Sequence, residues 1–146
     1  MKLNAIVEST PGRALLLTAA LLLAGAAQAG DFVVIVNKAN TAAVDKAMVA
    51  KIYTGEMKSW SDGTPVAAYD LPEDNAQRAS FSSDVVGKPL GSLKAFWAQL
   101  IFSGKALPPK SAPSDDDMKK MVAANKGGVG YIKSASVDDS VKVAIK

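Results

Sequence analysis

The stretch VAAYDLPEDNAQRASF, residues 66–81, holds the passage from a strand to a helix on which the reading of the fold turns. Val66–Leu71 is a short, mostly apolar run with an aromatic residue, as strands have. Pro72 ends it, because a proline has no N–H to give to a ladder. From Asn75 the sequence predicts a helix, with Phe81 and Val85 four apart on one face and Gly87 as the stop. Strand, proline, polar turn and helix together are one half of a βα unit.

The same alternation recurs on both sides of this stretch. DFVVIVN, residues 31–37, is a continuous β-branched run, the pattern of a strand covered on both faces. Val44, Met48 and Ile52 follow at four-residue spacing, with Asp45 near the start and Gly55 past the end, which predicts a short amphipathic helix. EMKSWSDGTP, residues 56–65, is turn-rich around Asp62-Gly63. Leu90, Leu93, Trp97, Leu100 and Ile101 form the clearest helical stripe, over 90–103, stopped by Gly104. KALPPKSAP, residues 105–113, holds three prolines and reads as an extended connection. Ser114 caps a further helix in a box with Asp117, and Met118, Met121 and Val122 supply its buried face. VGYIKSA (129–135) and VKVAI (141–145) read as the last two strands, expected to pair with each other antiparallel. The order β-α-β-α-α-α-β-β predicts an α/β domain, a mixed sheet covered by helices.

The N-terminus reads differently. Lys2 and Arg13 precede the apolar run ALLLTAALLLAGAA (14–27), which ends in Ala27-Gln28-Ala29. This is the pattern of a secretory signal peptide cleaved after Ala29, leaving residues 30–146 as one domain and implying a periplasmic location. An uncleaved anchor is the other reading, but the run is short of the roughly 20 residues that a span needs. No later segment is long and apolar enough to span a membrane.

The 146 residues include no cysteine and no histidine, and the formal net charge is +3. Without cysteine there is no disulfide scaffold. Without histidine and cysteine, Ser-His and Cys-His nucleophiles and the commonest transition-metal ligand are missing, so no enzyme, cofactor or metal is expected. Lysines are spread rather than clustered, which argues against nucleic acid.

Four features are candidates for chemistry. The first turn of the helix after Pro72 offers free N–H groups and the positive end of a helix dipole, with Asn75, Gln77 and Arg78 as side-chain donors for an anion. The competing reading is a self-capped helix: Glu73 and Asp74 stand at the same end, and Arg78 is spaced to pair with Asp74. Asp115–Asp117 reads as a helix N-terminus rather than a cation site, since the oxygen-ligand spacing of a calcium loop is absent. The glycines of NKGGVGYI read as structural, because a strand follows them rather than a helix; Tyr131 is a candidate to face a cleft. Phe96, Trp97 and Phe102 are expected in the core, and Trp60 is the best candidate for an exposed aromatic contact.

VVIVNKAN, VAKIYTGEMKSWSDGTPV, PEDNAQRASF, LKAFWAQLIFSGKALPP and NKGGVGYI, in this order, resemble the phosphate-type, PstS-like periplasmic solute-binding proteins of ABC transporters, as a short single-domain member. The most specific piece is KIYTGEMKSWSDG, similar to the family's Ile-Phe-x-Gly-x-x-x-x-Trp pattern. The resemblance implies a type II periplasmic-binding-protein-like lobe, capture of phosphate or a related small oxoanion for ABC-type uptake or sensing, an ABC permease or sensor as partner, and no catalysis. Where the family reads Ser-Gly-Thr at a helix start, this chain has Asn75, Ala76 and Gln77, with Arg78 beside them. The alternative is a minimal domain of this fold that has lost ligand capture and serves as a protein-interaction module, through Trp60 and its loop.

Overall fold

A computed structural model describes residues 31–146, so the expected signal peptide lies outside the described residues. The strands are β1 (Phe32–Val36), β2 (Ala67–Asp70), β3 (Lys110–Ser111), β4 (Gly128–Lys133) and β5 (Lys142–Ile145). The helices are α1 (Lys46–Tyr53), α2 (Ala76–Phe81), α3 (Leu90–Phe102) and α4 (Asp115–Ala124). One five-stranded sheet runs in the order β3-β2-β4-β1-β5. β2 is parallel to β3 and to β4, whereas β1 is antiparallel to β4 and to β5. The sheet is therefore mixed and lies between helices, as the alternation of elements predicts.

One pairing differs from expectation. β4 and β5 do not pair with each other, because β1 lies between them. Val36 faces Val129 on one side and Lys142 on the other. A run as apolar as Phe32–Val36 is best served by neighbours on both edges and cover on both faces, so it takes an inner position and separates the two C-terminal strands. A short 3-10 turn, Ser134–Ser136, begins the crossing between them.

The two sheet faces are set by alternation along β4. Gly130 faces α4, where an added Cβ would collide with the Met118 side chain. Tyr131 faces the other way and stacks on Phe81, ring centroids 3.9 Å apart and planes 5° from parallel. Tyr53 and Phe32 close around this pair edge-on. The absence of side chains at Gly130 on one face and the large ring at Tyr131 on the other let a thin helix layer and a thick aromatic layer share one strand.

The helix signals act as read. Asp45 Oδ1 accepts from Met48 N at 2.7 Å, and Ser114 Oγ accepts from Asp117 N at 3.2 Å. Each satisfies an N–H that the first turn leaves without an intrahelical partner. α1 buries Val49, Ile52 and Tyr53, while Met48 is half-buried and Val44 precedes the helix. α2 runs into a wider π turn, Ser82–Val86, that stops at Gly87. α3 buries only Leu93 and Trp97, and Phe102, expected in the core, is 95% exposed. It is the last residue of its helix, and its ring is left to solvent. The proline-rich connection contains the two-residue edge strand β3, which has too little length to show any periodicity.

Candidate functional site

The helix start expected to hold an anion stands at the carboxyl end of β2. Pro72 stops the strand, and Asn75 N donates to Pro72 O at 3.0 Å to fold the turn. Asn75 is the N-cap: its Oδ1 accepts from Gln77 N at 2.9 Å, and its carbonyl from Arg78 N at 3.0 Å. The helix is thus capped by an amide rather than by Glu73 or Asp74. Glu73 turns away to Lys94 of α3, Oε2 to Nζ 2.7 Å, and that ammonium holds its carboxyl below the ordinary value.

Gln77 is buried at 6% exposure, and its Oε1 has no partner among the described residues. Arg78 does not pair with Asp74. Its Nη1 donates to Leu71 O at 3.2 Å, and its Nε lies 3.4 Å from Asp70 Oδ2. The Nε–H is not aimed for a hydrogen bond, so this is a charge contact of two largely buried groups. The structure therefore brings Asn75, Gln77 and Arg78 to one turn, with Asn75 committed to capping and Arg78 to a carboxylate.

Asp70 is a further charged member of this turn. It is the last residue of β2 and is buried. Tyr131 Oη donates to its Oδ1, and so does Leu71 N, at 2.9 Å. Burial pushes the Asp70 carboxyl above its ordinary value, against the opposing pull of the Tyr131 hydroxyl, the Arg78 charge and the Leu71 N–H. Burial and the Asp70 charge push the Tyr131 hydroxyl up in turn, so the shared proton stays on the tyrosine. The available signal was an aspartate inside the apolar run VAAYDL, where a charge needs a partner. Tyr131, a candidate to face a cleft, is instead fully buried under Phe81.

The other candidates resolve on packing. Trp60 is buried, and its Nε1 donates to Gly127 O at 3.0 Å. An exposed aromatic contact is excluded there: the turn folds the ring back towards the start of β4, where its N–H finds the Gly127 carbonyl. Gly127 is structural, since a Cβ would run into the Pro65 carbonyl. The three aspartates of α4 diverge: Asp115 Oδ2 accepts from Lys133 N and Ser136 Oγ, Asp116 pairs with Lys119, and Asp117 Oδ2 accepts from Ser114 Oγ.

Residues 26–144 match the family described as "PBP superfamily domain". The chain belongs to the PBP superfamily. Its fold is shared with solved phosphate-binding proteins. An ABC-type phosphate transport receptor from Vibrio cholerae aligns with a TM-score of 0.61 at 23% identity, over 77% of this chain and 44% of that one. A putative phosphate ABC transporter substrate-binding protein from Clostridium perfringens, with phosphate bound, aligns with a TM-score of 0.63 at 20% identity, over 80% and 46%. PstS from Borrelia burgdorferi aligns with a TM-score of 0.59 at 11% identity. This PBP-superfamily chain thus spans less than half the length of the solved proteins it resembles. No curated protein matches it.

Proposed function

We propose that this chain is an exported, non-enzymatic solute-binding protein that takes phosphate or a related small oxoanion in the periplasm, for an ABC permease or a sensor. The anion contacts are Asn75, Gln77 and Arg78, through the side-chain amide N–H groups of the first two and the guanidinium of the third. The observation that carries the reading is the position of Arg78. It holds a guanidinium at a strand-to-helix turn, in a fold shared with phosphate receptors. Guanidinium and amide N–H groups are common donors to oxoanions. Lys94 offsets the charge of Glu73, which otherwise repels an anion there. Asp70 works against binding, because it already neutralises Arg78.

Calorimetry on residues 30–146 with phosphate and sulfate tests this. Saturable heat that strengthens in Asp70→Asn and disappears in Arg78→Met supports it; no heat in either the natural chain or Asp70→Asn rejects it.

A protein-interaction role is favoured by a different surface from the one the sequence suggested. Ile101, Phe102 and Leu107 are exposed around the end of α3, whereas Trp60 is not.

A further inference from the structure

A cavity of about 420 Å³ opens beside the free edge of β2. Its origin is covalent. β3 pairs only with Tyr69 and Asp70, and Pro108 and Pro109 before it have no N–H with which to carry the ladder back to Ala67 and Ala68. The sheet edge therefore stops short and leaves a hollow between β2, the end of α1 and the loop after α3.

Ile52, Met57, Val66, Trp97, Leu107 and Pro108 give the cavity an apolar side. Trp97 gives its Nε1–H to Tyr53 O at 2.9 Å, so only its ring surface is left for the cavity. Gly55 ends α1 in a left-handed conformation, φ 76°, and its bare Cα lets the Trp97 ring close in.

The polar lining has one sign. Lys58 and Lys110 both line the cavity, and no aspartate or glutamate does among the described residues. Lys58 Nζ is held to Lys105 O at 3.3 Å, and neither lysine enters an ion pair among the described residues. Asn125, also in the lining, spends its Oδ1 on Gly127 N at 3.0 Å and keeps its amide N–H groups for another acceptor.

We propose that this cavity binds a small amphipathic organic anion, an acyl chain of medium length ending in a carboxylate. The chain lies on Trp97, Ile52 and Leu107, and the carboxylate sits between Lys58 and Lys110. The volume falls within the roughly 300–1,000 Å³ of small-ligand sites. A bare inorganic oxoanion suits it less well, because it would engage the two lysines and leave the apolar side uncovered. An uncharged chain would forgo the attraction of the two exposed ammonium groups. This site is separate from the turn at Arg78 and does not depend on the phosphate reading.

The test is octanoate titrated into the full chain, followed by calorimetry and amide chemical shifts. Saturation at or below ~1 mM is expected, with the largest shifts at Ala68, Leu107 and Lys110. The Lys58→Ala/Lys110→Ala variant, checked for an unchanged melting temperature, is expected to weaken binding at least ~10-fold, as is replacing octanoate by octanol. Excess inorganic phosphate is expected not to displace it. No saturation up to ~10 mM, equal affinity in the double lysine variant, or shifts confined to another region would each overturn the proposal.

Discussion

Arg78 lies against Asp70, Nε 3.4 Å from Oδ2, and turns away from Asp74, its partner by helical spacing. The choice follows from burial. Asp70 is at the end of a covered strand, where an unpartnered carboxylate is costly, whereas Asp74 keeps its water. Removing the cation is therefore more damaging than removing the pair. Arg78→Met is expected to cost roughly 2 kcal/mol, below the usual 3–5 for breaking a buried pair, because the Arg78 side chain keeps partial access to water. In Arg78→Met/Asp70→Asn much of that loss returns. Urea unfolding of the two single variants and the double variant measures the coupling; strict additivity would show that the two groups do not interact.

Asp70 also sets a pH dependence. Its folded-state carboxyl binds a proton more readily than the unfolded one, whose ordinary value is 3.8. The folded state then holds more protons as pH rises from that value to the raised one, so this group's contribution to stability falls across that window and is constant above it. Glu73 and Asp138, both depressed by lysine partners, act in the opposite sense at lower pH. The quantity to measure is thus the difference between the natural chain and Asp70→Asn. That difference is expected to change in favour of Asn as pH climbs above about 3.8. A flat difference from pH 3 to 7 would contradict the burial argument.

Gly127 joins the Trp60 loop to the sheet. Its carbonyl accepts from both Trp60 Nε1 and Ala67 N, at 3.0 and 2.9 Å, and its Cα has the Pro65 carbonyl against it. Gly127→Ala is expected to destabilise by roughly 1–3 kcal/mol, as overpacking against rigid backbone does. Trp60→Phe leaves one acceptor bond unmade and is expected to cost about 1 kcal/mol. Thermal melts of both variants check the ranking.

Two of the three aromatic residues of α3, Trp97 and Phe102, make a sharper contrast. Trp97→Ala removes a buried ring and is expected to cost about 3–5 kcal/mol. Phe102→Ser, at a residue with 95% exposure, is expected to move stability by less than about 0.5 kcal/mol. Equal losses would mean that Phe102 is covered in solution.

These residues also show how far the sequence could be read. β1, β2, α1 and α4 are legible because their caps, stops and apolar spacing are local, and Asp45, Gly55 and Ser114 act as their positions suggest. Strand order is not local. Whether β5 joins β4 or β1 depends on which edge remains open after the chain has packed. The charge pairing at the candidate site failed to show for a related reason: helical spacing offers Arg78 a partner at Asp74, but only tertiary burial makes Asp70 the more demanding one. Trp60 and Phe102 exchange the environments expected of them, because a turn can fold inward and the last residue of a helix can stand clear of the core.

The place of β1 between β4 and β5 has a consequence in time. Both of its edges are sealed by strands drawn from the end of the chain, as Phe32 opposite Lys133 and Val36 opposite Lys142 show. Until residues 128–145 have joined it, β1 is a bare β-branched ribbon and a hazard for aggregation. Sheet closure waits on contacts spanning about a hundred residues, so folding is slow for a domain of this size and completes only after the last strand is free to dock.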